Sequence, residues 1–444
     1  MDHARPAQEE PQEPMQDTAS TDQRPDAGQD PSGVSRRRLL GAASAAGVAG
    51  LVVGAGGTAL GEALTEPGRP TPLDSVGSTR IPFHGARQAG IVEPQQARMY
   101  AAAFDLTPTG ADRRAVAALM RRWSSAAATM AEGGTPPQDD GAALDAGPSS
   151  LTVTFGFGRG LFDRIGLAAH RPEALAELPS FPGDRIDAAR SGGDLWVQVC
   201  ADDALVAFRA LRVLQRRAAG TATLRWQMSG FSRAPGAAPA GGTPRNLMGM
   251  KDGTGNPAPG DASFDSTVFV GGNGAPSSPS SPPWMANGSY AVFRRIRILL
   301  DHWDVLPVDR QERIIGRHKR SGAPLSGGGE FTAADLSATT ASGGFAIPAD
   351  AHIRVAAPAS NQGAAMLRRG FSYHDGLRPD GEPDAGLLFV CFQSDPLTGF
   401  VPVQRKLSRG DALSQFLVHE SSGVYAVPGG AAADGYVGQE LLES

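Results

Sequence analysis

Residues 245–257 form the most informative segment for possible chemistry. The segment reads RNLMGMKDGTGNP, which places the Asp252 carboxylate between Lys251 and Gly253. Aspartate is one of the side chains that exchange protons in catalysis. The Asp-Gly pair is also a common turn signal, so a plain surface hairpin is the alternative interpretation. A phosphate-binding loop is excluded because the G-x-x-x-x-G-K spacing is missing.

Eight histidines are further candidates for a metal ligand or a general base. They are His3, His84, His170, His302, His318, His352, His374 and His419. His3 lies in an acidic N-terminal segment, and His302 and His318 lie in charged settings that favour solvated side chains. His352 precedes an alternating, strand-like stretch. Since a single histidine is usually structural, the residue types alone do not select a ligand.

The composition excludes several classes of protein. The two cysteines, Cys200 and Cys391, rule out a disulfide scaffold and a Cys-rich zinc or iron–sulfur protein. A formal net charge of −5 provides no overall basic field, so we predict no nucleic-acid partner. The 444 residues, 41% of them hydrophobic, suffice for two or three domains or for one large duplicated domain.

The periodicity of the first half predicts a mixed α+β unit. Residues 111–132 form an Ala-rich helical pattern, and residues 203–217 have apolar residues at helical spacing. Residues 151–156, 195–200 and 222–229 are typical of strands. Together these elements predict a split βαβ arrangement, in which two helices pack on one face of a sheet.

The second half repeats this scheme. Strands are predicted at residues 290–300, 386–393 and 423–427, and helices at 307–318 and 408–418. We therefore expect an α+β fold of two packed ferredoxin-like halves, as in dimeric α+β barrels.

The predicted organisation has five parts. Residues 1–34 carry eight acidic residues and two arginines, a net charge of −6, and should be a disordered tail. Residues 35–60 are a candidate signal segment and residues 61–80 a linker. The N-terminal half spans 81–235, and the C-terminal half spans 245–440.

Residues 35–60 resemble a twin-arginine export signal. They begin SRRRLL, with Arg36 and Arg37 as the arginine pair, and have no charge after residue 38. A membrane-spanning helix is the alternative, but the many glycines and alanines make the run only weakly hydrophobic. We expect export by the twin-arginine machinery to the extracellular space, the cell envelope or the periplasm.

The Gly249-x-x-Asp252-Gly253 pattern resembles the signature of the dye-decolourising peroxidases. Further similar segments occur in family order across residues 80–430. They lie at residues 83–91, 151–156, 193–203, 290–297, 315–319, 350–354, 366–370 and 386–390. With the export signal, the resemblance is closest to the twin-arginine-exported, deferrochelatase-like branch.

The resemblance implies one b-type haem per chain, bound in the C-terminal half, with one protein ligand and one open face on the iron. His352 matches the family's iron ligand. Asp252 matches the acid/base that takes a proton from peroxide and returns it. Arg368 matches the cation that stabilises the developing charge, with the adjacent Arg369 as the alternative. An aspartate in this role implies an acidic optimum for dye oxidation.

Two further polar residues acquire expected roles from the same resemblance. Arg317 matches an arginine that pairs with a haem propionate, which suits the planar guanidinium. The alternative is a cation at a helix C-terminus. Asp395 is expected to accept a hydrogen bond from the second ring nitrogen of His352. The alternative for Asp395 is a turn-initiating aspartate before Pro396.

The remaining expected haem contacts come from the distal loop and from a strand. Gly253 and Thr254 are placed with Asp252 among the cofactor-binding residues. Leu387 and Phe389 point the same way on one predicted strand and resemble the apolar distal wall. Both are equally compatible with an ordinary core.

The expected function is therefore a haem peroxidase that uses hydrogen peroxide to oxidise dyes, phenolics or other small aromatic one-electron donors. The first alternative is an exported, deferrochelatase-like haem-binding protein for iron acquisition. The second is a non-catalytic α+β binding module in which Asp252 is only a turn residue. The sequence indicates no oligomeric state.

Overall fold

The computed structural model describes residues 77–141, 143–237, 242–271 and 281–444. The predictions for the tail, the signal segment and most of the linker lie outside these residues. All described residues belong to one compact unit, Glu66–Ser444. No helix within the described ranges combines the length and the apolar character that crossing a membrane requires.

The described residues form strands and helices in the mixed order that the sequence predicts. The strands are β1 (Arg98–Leu106), β2 (Thr152–Gly158), β3 (Leu195–Ala201), β4 (Ala222–Phe231), β5 (Ser289–Ile298), β6 (Leu367–Arg368), β7 (Phe371–Leu377), β8 (Pro383–Gln393) and β9 (Leu417–Val427). The helices are α1 (Arg113–Ala131), α2 (Arg159–Arg164), α3 (Ala204–Ala218), α4 (Phe264–Val268), α5 (Leu300–Asp304), α6 (Val308–Ile315), α7 (His352–Ala356), α8 (Phe400–Gly410) and α9 (Gln439–Glu443).

The strands form one antiparallel sheet in the order β5-β9-β2-β3-β1-β4-β7-β8-β6. A further pairing of β5 with β8 closes eight of these strands into a barrel, and β6 lies beside the C-terminal part of β8. The two halves of the chain meet where β2 pairs with β9 and where β4 pairs with β7. The coarse α+β prediction is confirmed.

In the first half, α1 and α3 cover one face of the sheet. Each helix begins at an aspartate, Asp112 or Asp203, whose side chain accepts hydrogen bonds from two backbone N–H groups of the first turn. Trp123 of α1 stacks on Phe155 of β2 with ring centroids 5.5 Å apart. Its indole N–H donates to the Leu214 carbonyl of α3 at 2.8 Å, so one buried side chain connects both helices to the sheet.

Two local predictions in the second half are wrong. His352 begins the short helix α7 and does not precede a strand. The predicted helix 408–418 is divided, because α8 ends at Gly410, a 3-10 helix follows at Ala412–Phe416, and β9 starts directly afterwards. Asp411 lies at the division in an extended conformation, and its side chain accepts from the Leu413 N–H to start the new turn.

Candidate functional site

The segment around Asp252 is a tight hairpin held by the backbone. Arg245 and Lys251 pair as an isolated antiparallel bridge, and the Asp252 N–H donates to the Pro244 carbonyl at 2.9 Å. Gly253 has φ +120°, a conformation that side chains with a Cβ rarely adopt. The turn that the sequence indicates is therefore present, and it carries a half-buried Asp252 side chain at the wall of a pocket.

This pocket brings together the predicted acid and the predicted cation. Arg368 Nη1 lies 3.6 Å from Asp252 Oδ1. Leu387 of β8 and Gly253 line the same pocket. Each of the two charged side chains keeps about a third of its surface exposed, at 33% for Asp252 and 31% for Arg368. A substrate entering the pocket would therefore reach both groups.

Arg368 and Arg369, the two alternatives that the sequence leaves open, have different environments. Consecutive strand residues point to opposite faces of a sheet. Arg369 is 5% exposed and donates to the carbonyls of Glu93 and Pro94 and to the Gln96 side chain. It thus fastens β6 to the segment before β1, whereas Arg368 faces the pocket.

His352 is oriented by Asp411, a residue that the sequence reasoning missed. His352 Nδ1 lies 2.7 Å from Asp411 Oδ2, and the Asp411 side chain is only 2% exposed. The prediction that Asp395 plays this part is wrong. Asp395 lies in the exposed turn before α8, where Oδ1 accepts from the Leu397 N–H, as in the turn-initiating alternative.

The electrostatics of His352 connect it to the same site. Burial lowers the pKa of His352, but the ion pair and hydrogen bond with Asp411 outweigh burial, so the pKa is raised. The charges of Arg368 and Asp252 also act on this pKa, lowering and raising it respectively. The three predicted residues therefore share one electrostatic environment.

The residues fit a haem group. With Nδ1 of His352 held by Asp411, Nε2 is the ring nitrogen that can bind iron. Phe389 packs against Phe400 with ring centroids 6.1 Å apart, in an apolar cluster that includes Ala356 of the helix that carries His352. A flat apolar cofactor would find an imidazole, an apolar surface and the Asp252–Arg368 pair in this part of the fold.

Arg317 lies after α6 and outside its last turn. The helix ends at Ile315 and is capped by Gly316, which has φ +92°. Arg317 Nη1 donates to the carbonyls of Gly322 and Glu330. Burial lowers the pKa of Arg317, Glu330 raises it and Arg368 lowers it, which indicates that the two arginines lie near each other.

Glu330 ties the Asp252 loop to the segment that holds Arg317. Its carboxylate forms an ion pair with Lys251 and accepts from Thr254 Oγ1 at 3.3 Å. Burial raises the pKa of Glu330, but the bonds from Lys251, Thr243 and Thr254 outweigh burial and lower it. Thr254 thus braces the loop through its hydroxyl, and no motif or spacing in the sequence points to Glu330.

Asn256 is another contact that the sequence reasoning did not single out. It lies four residues after Asp252, within the motif, and its carboxamide bonds to the backbone and side chain of Arg368. Its place within the motif was the available signal.

Comparisons with known proteins show one family along most of the chain. The Dyp-type peroxidase N-terminal family profile matches residues 88–232, and the C-terminal profile matches residues 243–432. The chain is 41% identical over 434 residues to a dye-decolorizing peroxidase of Thermobifida fusca (strain YX), covering 93% of this chain and 98% of the relative. It is 36% identical over 424 residues to a deferrochelatase of Escherichia coli (strain K12), covering 92% and 97% respectively. The crystal structure of ferric DtpA from Streptomyces lividans aligns with a TM-score of 0.80 and 58% identity, covering 84% of this chain and all of that one.

Proposed function

We propose that this chain, which belongs to the Dyp-type peroxidase family and is therefore a haem-dependent peroxidase, activates hydrogen peroxide with Asp252 and Arg368. The single observation that carries the proposal is the 3.6 Å approach of Arg368 Nη1 to Asp252 Oδ1 at the wall of one pocket. One group exchanges protons and the other carries a permanent positive charge.

His352 is proposed as the protein ligand of the haem iron, through Nε2. Bound there, haem supplies the metal centre that accepts two oxidising equivalents from peroxide and passes them to electron donors. Asp411 keeps the His352 Nδ1 proton in place, which fixes the tautomer and strengthens the basicity of the ligand.

The Asp252 carboxylate would take a proton from one oxygen of the peroxide and return it to the other oxygen, which leaves as water. Arg368 stabilises the negative charge that develops as the O–O bond breaks.

The remaining predicted residues are proposed to hold the cofactor. Arg317 would pair with a propionate, because burial near Arg368 makes a carboxylate favourable there. Leu387 and Phe389 would supply the apolar wall, and Gly253 would let the backbone of the loop approach closely.

The haem would thus lie in the C-terminal half, residues 245–440. We further propose that this half and residues 81–235 are two ferredoxin-like units. The strand order β2-β3-β1-β4 of the first half, with α1 and α3 as its two crossover helices, supports this arrangement.

The test is an absorption spectrum of purified protein before and after peroxide addition. Wild type should show a Soret band, and His352→Ala should lose the spectrum of a His-ligated haem. Asp252→Asn and Arg368→Leu should keep that spectrum but react with peroxide on the order of 100-fold more slowly. A wild-type rate in both variants would refute the assigned roles. Maximal dye turnover above neutral pH would also contradict an aspartate base.

The second candidate, iron release from haem, is favoured by the deferrochelatase relative. The assay that separates the two functions incubates the loaded protein with and without peroxide and a phenolic donor. Peroxide-dependent oxidation of the phenol supports the peroxidase, whereas peroxide-independent loss of iron, leaving free porphyrin, supports the alternative.

Export by the twin-arginine machinery is a separate proposal, based on Arg36, Arg37 and the uncharged run that follows. It implies an extracellular, cell-envelope or periplasmic location. Arg36→Lys combined with Arg37→Lys should leave the protein in the cytoplasm in a fractionation experiment. Unchanged export would contradict the proposal.

A further inference from the structure

The backbone of Arg368 lacks a neighbouring strand on one edge. The Arg369 N–H donates to the Val390 carbonyl of β8 at 2.7 Å. Because backbone groups of successive residues in an antiparallel strand point to alternate edges, the N–H and C=O of Arg368 point away from β8. Two-residue β6 has no further strand on this side among the described pairings.

The Asn256 carboxamide occupies the place of that strand. Its Nδ2 donates to the Arg368 carbonyl at 2.6 Å, and its Oδ1 accepts from the Arg368 N–H at 3.1 Å. The same Oδ1 lies 3.2 Å from Arg368 Nε. One side chain thus fixes both the backbone of Arg368 and the start of its guanidinium, and Nη1 of the same guanidinium lies 3.6 Å from Asp252 Oδ1.

Asn256 and Asp252 belong to one rigid turn. The Asn256 N–H donates to the Gly253 carbonyl at 3.0 Å, which closes the turn of residues 253–256 directly after Asp252. The contacts therefore form a ring, from Asp252 through the turn to Asn256, from Asn256 to Arg368, and from Arg368 Nη1 back to Asp252. A shift of Asn256 would move one charged group relative to the other.

We propose that Asn256 is the positioning residue that sets the Arg368 guanidinium against Asp252. The inference rests on the proposed function of that pair and deepens it. Asn256 acts only through Arg368, so its contribution should disappear when the guanidinium is absent.

The test uses haem-loaded Asn256→Ala, Arg368→Leu and the double variant. The matched control is Gln88→Ala. Gln88 makes the same kind of bond pair to the Phe155 backbone, with Nε2 donating at 3.0 Å and Oε1 accepting at 2.8 Å, in the first half of the chain. Gln88→Ala should lower the free energy of unfolding, because it removes a buried carboxamide and its hydrogen bonds. It should leave the Asp252–Arg368 pair unchanged.

Two quantities are measured: the affinity of the ferric protein for fluoride, and the rate constant of the peroxide-dependent Soret change. Fluoride reports on positive charge at the open face without any turnover. Asn256→Ala should lower both by about tenfold or more, since a displacement of about 1 Å at such a site can cost on the order of 100-fold. Gln88→Ala should change neither by more than about twofold.

The double variant decides whether Asn256 acts through Arg368. The inference holds if adding Asn256→Ala to Arg368→Leu lowers neither the fluoride affinity nor the peroxide rate any further. The effects of the two substitutions would then be fully coupled. It is overturned if the losses multiply, or if Asn256→Ala alone retains wild-type fluoride affinity while Arg368→Leu does not. A wild-type fluoride affinity and peroxide rate in Arg368→Leu itself would instead overturn the proposed function. If Asn256→Ala does not fold, Asn256→Ser takes its place and should lie between Asn256→Ala and wild type.

Discussion

Replacing Asp411 by asparagine should loosen haem binding, although the two side chains have almost the same shape. Both carboxylate oxygens of Asp411 act as acceptors. Oδ2 is bound to His352 Nδ1 at 2.7 Å, and Oδ1 accepts from the Leu413 N–H at 2.9 Å. Asparagine has one acceptor oxygen and one donor nitrogen. It can therefore satisfy His352 or Leu413, but not both.

Either orientation of the amide has a cost. If the amide nitrogen faces His352, then Nδ1 must accept and the proton moves to Nε2, the atom that should bind iron. If the amide oxygen faces His352, the donor nitrogen faces the Leu413 N–H, and the start of the 3-10 helix is lost. A hydrogen bond to a charged group contributes about 1.5–3 kcal/mol, which is equivalent to about 10- to 100-fold in affinity. Removing the hydrogen-bond partner of a metal-bound histidine is expected to lower metal affinity by the same factor.

The assay follows haem transfer from the ferric protein to excess apomyoglobin, together with the ferric/ferrous midpoint potential. Asp411→Asn should release haem about 10- to 100-fold faster. The potential should rise, because a neutral partner leaves the imidazole a weaker electron donor to iron. The matched control is Asp395→Asn, because Asp395 is a half-buried turn residue whose side chain accepts from the Leu397 N–H and does not contact His352. This control should behave as wild type.

Two results would refute the reasoning. One is wild-type haem retention and potential in Asp411→Asn. The other is a larger change in haem release or potential in Asp395→Asn than in Asp411→Asn, which would support Asp395 as the partner of His352.

Three further predictions concern the surroundings of the site. Burial, and to a smaller extent the charge of Arg294, lower the pKa of His419 to about 3. Between pH 6.5 and 3, only the unfolded chain binds a proton at this residue, because its pKa in the unfolded chain is about 6.5. The free energy of unfolding should therefore fall by up to about 1.4 kcal/mol for each pH unit in this range. His419→Gln should flatten this dependence in urea unfolding from pH 7 to 4, and an unchanged slope would contradict it. Arg369→Leu should lower the free energy of unfolding by about 3 kcal/mol, because it removes the donor to the buried Gln96 side chain and to two partly buried backbone carbonyls. The rate of its reaction with peroxide should stay within about threefold of wild type. A loss as large as that of Arg368→Leu would contradict the assignment of Arg369 to a structural role and of Arg368 to the reaction. Arg317→Ala should release haem about tenfold faster in the apomyoglobin assay, as expected for one lost charge-assisted bond, whereas wild-type retention would argue against a propionate contact.

Much of the sheet could be predicted from residue alternation and apolar runs. The predicted strands 195–200 and 386–393 correspond to β3 and β8. Both are rich in β-branched, aromatic and other apolar residues, as expected for strands covered on both faces. A barrel-type fold was expected, but the β5–β8 pairing that closes it and its register could not be predicted, because they depend on contacts far apart in the chain.

The choice between Arg368 and Arg369 shows a second limit. They are consecutive arginines at the end of β6, so residue type does not separate them. Alternation predicts that they face opposite ways but not which way each one faces. The structure distinguishes them by their partners: Arg369 binds Gln96 and backbone carbonyls before β1, whereas Arg368 meets Asp252 and Asn256.

The sequence pointed to Asp395 and not to Asp411 as the partner of His352 for one physical reason. Leu413 and Phe416 lie at a spacing that suits a helix, and reading residues 408–418 as one helix made Asp411 an interior position with no special role. Gly410 followed by Asp411 is, however, a helix end and a cap, since glycine weakens a helix interior and aspartate favours the start of a new turn. Once the helix is divided there, Asp411 combines two tasks that need the same buried carboxylate. It starts the turn that leads into β9 and orients His352, so the local break in secondary structure is itself what positions the candidate iron ligand.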